Sequence, residues 1–241
     1  IYMKCVEILI SGVIFSLMIV SFTFSFVTDA ETGEDLSYKV KAVDVAPIVD
    51  GILDDPAWNN VKPNSLEWET FDNVSWKEKR DFDAKFCAVW RDSNLYLAIV
   101  FQDDIIEQKV SESLEYDRFD LYFDLQNNGY RDENYQYTIP VNENHSEQNP
   151  SNPTIFWNLN RGICELSFNL SEIPQKGKTI GFGIYYNDVD SGLLESQVSW
   201  APEGGVFMDE KDQLGKFVFD LELRPANNKT VTQWGKIKTL F

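Results

Sequence analysis

The chain has 241 residues, 43% of them hydrophobic and 14% aromatic, enough to bury one sizeable core. Its 39 acidic residues outnumber 21 basic ones, giving a net charge of −18 with no basic patch. Such a surface repels phosphate backbones and anionic headgroups, which argues against nucleic acid and leaves neutral ligands and cations as natural partners.

Residues 1–30 read as an export segment. Lys4 precedes the run Val6–Val27, which is apolar apart from Glu7, Gly12 and scattered Ser and Thr, and polar "TDAETGEDLS" follows. The run is longer than a usual signal core and could just span a bilayer, so a cleaved signal and an uncleaved anchor both fit. Either way, residues from about 28 onward are expected outside the cytoplasm, secreted or held at a surface. Membrane contact is expected only if the segment is uncleaved.

Beyond it the pattern is strand after strand. "SYKVKAVDV" (37–45) alternates. "PIVDGILDDPAW" (47–58) then combines an Asp50-Gly51 turn with a short helical turn over Pro56–Val61, Asp54 or Asp55 serving as N-cap and Pro56 as first residue. "KFCAVWRDSNLYLAIVFQD" (85–103) splits at Asp92-Ser93-Asn94 into a β-hairpin. "DRFDLYFDLQN" (117–127) sets Phe119, Leu121 and Phe123 against Asp120, Tyr122 and Asp124, so its acids are expected to face water. Runs at 134–142, 163–171, 179–190, 195–202 and 214–223 follow, punctuated by Gly, Pro, Asn and Asp. No segment of this region holds an apolar period of 3.6 over three turns, which predicts a single-domain antiparallel β-sandwich of jelly-roll or immunoglobulin-like kind.

Two stretches break the rhythm and read as loops: 142–162, polar and carrying Trp157, and 202–213, Gly-rich and acidic with Phe207 near its middle. The tail 224–241 is more basic than the rest and has no assigned role. Of the cysteines, Cys5 lies in the export segment. Alternation turns Cys87 away from Phe86, Ala88 and Trp90 but aligns Cys164 with Leu166 and Phe168, so a bridge between the two is awkward, though open.

Catalytic signatures do not emerge. His145 is the only histidine, and no nucleophile elbow, phosphate loop or dinucleotide fingerprint occurs. With 39 acids, carboxylate pairs arise by chance, and none is singled out as a protonated acid. Asp103-Asp104 at a strand end, with Asp50, Asp54 and Asp55, offer oxygen ligands that suit calcium; the same acids also serve as water-facing turn residues. Trp58, Trp90 and Trp200 sit in apolar runs and belong to the core. Trp68, Trp76 and Trp157 sit in polar surroundings, where an exposed ring can stack on the C–H face of a pyranose or close the end of the sandwich.

Taken in order, "IVDGILDDPAW", "FCAVWRDSNLYLAIVFQDD", "YDRFDLYFDL", "CELSFNLSEI", "IGFGIYYNDVD", "SWAP" and "LGKFVFD" resemble the family 9 carbohydrate-binding module, a DOMON-related β-sandwich, over residues 38–223. The resemblance implies a noncatalytic, monomeric module that binds structural calcium and captures xylan- or cellulose-like glycans, commonly joined to glycoside hydrolases acting on plant polysaccharides. It places a carboxylate and an amide for sugar hydroxyls at Asp120 and Gln136. The aromatic clamp falls near Leu114 and Tyr116 in one loop and at Phe207 in the other, with Trp157 as a further exposed ring. Calcium ligands fall at Asp103 and Asp104. Thr138 stands where the family has an arginine, so a changed ligand preference is expected. The alternative is a noncatalytic surface or protein-interaction domain on the same sandwich.

Overall fold

The computed structural model describes residues 36–72, 82–110, 115–130, 132–149, 153–170, 177–201 and 214–220. The export segment, Leu114, Trp76, Phe207 and the basic tail lie outside the described residues.

Among the described residues twelve strands carry the fold: β1 (Ser37–Ala42), β2 (Asn64–Ser65), β3 (Trp68–Asp72), β4 (Asp83–Arg91), β5 (Asn94–Gln102), β6 (Arg118–Asp124), β7 (Gln136–Pro140), β8 (Thr154–Asn158), β9 (Ile163–Asn169), β10 (Thr179–Asp190), β11 (Leu193–Ser199) and β12 (Gly215–Asp220). Among the described residues the only helical pieces are three short 3-10 turns. The hairpin β4–β5 closes through Asp92-Ser93, with Asp92 at φ 53° in the left-handed region that Asp tolerates better than most residues.

β10 joins two layers. One edge pairs with β6 over Gly181–Asn187, while its other edge pairs with β12 over Thr179–Phe182 and with β11 over Tyr185–Asp190. One layer therefore runs β7-β6-β10-β11-β3 and the other β12-β1-β4-β5-β9-β8. Their inner faces meet through aromatic rings: Phe101 against Phe119 at 5.8 Å, Phe123 against Phe168 at 5.3 Å and Phe86 against Phe182 at 5.8 Å between centroids. This is the expected β-sandwich. One strand departs from antiparallel order: β1 is parallel to both its neighbours, β12 and β4. The Tyr38 hydroxyl, accepting the Ala88 amide at 3.0 Å, ties it to β4.

The segment 47–63 lies on the outer face of the second layer. Cys87, Ala98 and Glu165 stand opposite one another across β4, β5 and β9, and so share that face. Glu165 is 1% exposed and accepts three hydrogen bonds from the segment. The Gly51 amide donates at 2.7 Å, the Asp50 amide at 3.1 Å and the Trp58 indole N–H at 3.1 Å. Gly51 has φ +75°, and a Cβ there would lie 2.9 Å from both Asn158 and Phe156, so the tight turn requires glycine twice over. The 3-10 turn Pro56–Trp58 starts with Pro56 at its first position as expected. The Asp55 side chain, however, accepts from the Ile48 amide instead of capping the turn.

That cover explains the cysteines. Cys87 faces outward yet is fully buried, its thiol reaching the Val61 carbonyl at 3.9 Å. Cys164 stands opposite Ile99, one register position on and therefore on the inner face. Both thiols are free, because they point to opposite sides of the same layer.

At the far end of β5, Gly162 (φ +57°) ends the 3-10 turn Leu159–Arg161, and its carbonyl accepts the Phe101 amide at 2.8 Å. A Cβ at Gly162 would sit 2.0 Å from the Phe101 carbonyl oxygen. Gly162→Ala is expected to cost about 1–3 kcal/mol, read as an earlier urea midpoint with an unchanged m-value.

Candidate functional site

The outer face of the first layer carries polar side chains in cross-strand rows. Asp120 of β6 stands opposite Thr138 of β7 and Tyr185 of β10. In the next row Arg118 stands opposite Asn187, and Asn187 opposite Gln197 of β11. Alternation along β6 produces this: Phe119, Leu121 and Phe123 are fully buried on the inner face, which turns Asp120 outward.

These side chains form one hydrogen-bonded relay. Gln197 Nε2 donates to Asn187 Oδ1 at 2.7 Å, and Asn187 Nδ2 donates to Asp120 Oδ2 at 2.7 Å. Thr138 Oγ1 donates to Asp120 Oδ1 at 2.8 Å, while Arg118 Nε lies 3.6 Å from Oδ2. Burial pushes the Asp120 carboxyl above its ordinary value, opposed by the Arg118 charge and by the Thr138 and Asn187 hydrogen bonds. Asp120 was expected to face open water; it faces outward but is 9% exposed, because its taller neighbours close around it. Asp124 is 2% exposed for a different reason: its carboxylate accepts the Gln126 and Gly129 amides and holds the following turn.

Tyr116 borders the relay. Its ring lies between Lys109 Nζ at 5.4 Å and Arg118 Cζ at 5.5 Å, a double cation–π contact. Glu147 pairs with Lys109 and hydrogen-bonds the Tyr116 hydroxyl, which raises the pKa of the already buried phenol. Gln136, half-buried at the start of β7, stands opposite Tyr122, two residues along its strand from Thr138. The structure thus gathers Tyr116, Asp120 and Gln136 on one face.

Trp157 is not there. Expected as an exposed ring in a loop, it is buried on β8 and packs against Phe101 (5.8 Å) and Phe119 (6.2 Å), its indole N–H donating to the Glu143 carbonyl. The stretch 154–158 alternates, with Ile155 and Trp157 inward; the ring it exposes is Phe156.

A second cluster sits at the strand ends. Carboxylate oxygens of Asp103, Asp117 and Asp188 lie within 4.8 Å of one another. Asp104 is exposed and outside the group, so of the two expected ligands only Asp103 joins it. Asp117 accepts the Glu107 and Val189 amides, Asp188 accepts the Ser196 hydroxyl at 3.0 Å, and Asp103 accepts the Tyr186 hydroxyl and the Ile105 amide. A bulge between Asp188 and Val189 re-aims β10 where Asp188 enters. Burial first, then the Asp103 charge, pushes Asp117 up to about 8; burial likewise pushes Asp103 up to about 6. The charges that most perturb Asp117 are themselves carboxylates, Asp103 and Asp188. Hard oxygen donors crowded against their own repulsion fit a calcium ion.

Sequence reasoning missed Asn187, Gln197, Arg118, Asp117 and Asp188. The first three answer to cross-strand register, which no single segment displays. Asp188 follows Asn187 in "YYNDVD", where the bulge lets neighbouring residues serve different clusters.

Residues 49–220 match the family model described as carbohydrate family 9 binding domain-like. The chain is 24% identical over 199 residues to endo-1,4-beta-xylanase A of Thermotoga neapolitana, spanning 75% of this chain but only 18% of that protein. Among solved structures, a family 9 carbohydrate-binding module from Caldicellulosiruptor kristjanssonii in complex with cellotriose superposes with a TM-score of 0.63 at 20% identity, covering 81% of this chain and 98% of that one. A module of the same family and organism in complex with glucose gives 0.62 at 19% identity, covering 78% and 99%. The chain belongs to the carbohydrate family 9 binding domain-like family, whose members are noncatalytic carbohydrate-binding modules.

Proposed function

We propose that the chain is an extracytoplasmic module that holds xylan- or cellulose-like oligosaccharides on the outer face of β7-β6-β10-β11, in association with polysaccharide breakdown. The observation that carries this reading is the Gln197–Asn187–Asp120–Thr138 relay. Sugar hydroxyls both donate and accept, and a fixed carboxylate flanked by amides and a hydroxyl meets both demands without a group placed to attack. The Caldicellulosiruptor modules solved with cellotriose and glucose, and the xylanase relative, point to the same ligand class.

Asp103, Asp117 and Asp188 would hold calcium, joining the ends of β5, β6 and β10 beside that face. The ion's role there is structural.

Asp120→Ala is expected to weaken binding of cellotriose or xylotriose by roughly ten- to a hundredfold in calorimetric titration, as befits loss of a charged hydrogen-bonding group. Asp120→Asn, which keeps an acceptor and the fold, should lose less. Unchanged affinity in Asp120→Ala would remove this face from consideration.

A further inference from the structure

We infer that the module carries a second saccharide site, separate from the β7-β6-β10-β11 face, in a cavity of about 550 Å³ at the far end of β5. Its lining combines the aliphatic side chains of Ile106 and Leu159 with polar Asn160 and Arg161, and it borders Asp103 of the carboxylate cluster. The volume lies within the range of roughly 300–1,000 Å³ that small-molecule sites occupy. None of these residues belongs to the relay around Asp120.

Local structure creates the cavity. Gly162 lets the Leu159–Arg161 turn press its backbone onto Phe101, so the turn's side chains stand over the end of β5. Asn160 and Arg161 are exposed; Ile106 and Leu159 are half-buried, presenting aliphatic surface to whatever enters.

The chemistry of the lining selects the ligand. The chain's net charge of −18 disfavours an anion, and the Arg161 guanidinium disfavours a cation, so the two together favour a neutral molecule. The Arg161 N–H groups donate, and the Asn160 amide both donates and accepts. Donors and an acceptor beside the aliphatic C–H surface of Ile106 and Leu159 match a pyranose, polar at its edge and apolar across its faces. Two such sites on one module would let it grip a polysaccharide surface at two points and gain in avidity.

The test uses the isotope-labelled full chain titrated with cellotriose and followed by amide resonances. The expected result is two groups of shifting amides, one at 118–120, 136–138 and 187, the other at 100–106 and 159–163. Arg161→Ala should weaken the second group's titration roughly tenfold and leave the first unmoved. Leu159→Trp, which fills the cavity, should abolish the second group alone. Asp120→Ala should do the reverse. Shifts confined to the first group would overturn this inference and leave the proposed function standing. Shifts confined to the second would overturn the proposed face and leave the cavity site. No shifts anywhere would overturn both.

Discussion

Glu165→Ala is expected to lower the melting temperature by roughly 8–16 °C. The carboxylate is 1% exposed and terminates three donors: the Asp50 and Gly51 amides on Oε2 and the Trp58 indole on Oε1. Alanine leaves all three donors without a partner, in a place that water reaches poorly, and opens a void beneath Trp58. Each orphaned buried donor costs about 1–3 kcal/mol, and breaking a buried charged network costs about 3–5 kcal/mol in total. Glu165→Gln separates the two contributions. It keeps the volume and one acceptor but sets an amide N–H against at least one donor, so its loss should fall between wild type and alanine. Burial raises the Glu165 carboxyl above its ordinary value while the three donors pull it back. A group raised in the folded state contributes most when protonated, so that portion of stability declines as pH climbs through its folded pKa. The three donors oppose the decline, and glutamine should flatten what remains of it. Wild-type stability in the alanine variant would mean that segment 47–58 is held by packing alone.

This anchor shows how far one dimension of reading reaches. "PIVDGILDDPAW" displayed its turn, its proline and its buried tryptophan, because each is a local property of backbone angle or hydrophobicity. Its acceptor, Glu165, lies more than a hundred residues away in a strand whose inward residues alone were patterned as core. The strands β4, β5, β6, β9, β10 and β12 were legible because alternation is written into each run. β3 and β8 were not: each is five residues long, edges its layer, and sits in polar surroundings that mimic a loop. Missing β8 is what misplaced Trp157, since a strand reading alternates that ring inward. The outward side of β6 misled for a related reason. Alternation fixes which way Asp120 and Asp124 point, whereas exposure depends on the neighbours, Arg118 and Thr138 in one case and the turn amides in the other.

Calcium is expected to raise the melting temperature at pH 8 by roughly 5–10 °C when present a hundredfold above its dissociation constant, a stabilisation of about 2.7 kcal/mol. The sign with pH follows from the carboxylates themselves. Without a cation, Asp117 binds its proton up to about pH 8, against an ordinary value of 3.8, so between those values the folded state holds more protons than the unfolded one. Stability of the calcium-free protein therefore falls as pH rises across that window. Calcium needs the same carboxylates ionised, so its effect grows with pH: small at pH 5, large at pH 8. Asp188→Asn is the discriminating variant. Asparagine keeps an oxygen for the Ser196 hydroxyl but removes one charge from the trio. It should abolish the calcium response and relieve repulsion, leaving the calcium-free variant at pH 8 at least as stable as calcium-free wild type. A calcium response that survives Asp188→Asn, or wild-type protein indifferent to calcium and chelator at pH 8, would show that these three acids hold no ion. In the opposite case, the ends of β5, β6 and β10 are tied by the metal, and chelation should loosen the segment from Tyr116 to Asp120 and weaken glycan binding at the β7-β6-β10-β11 face, where the ion itself makes no sugar contact.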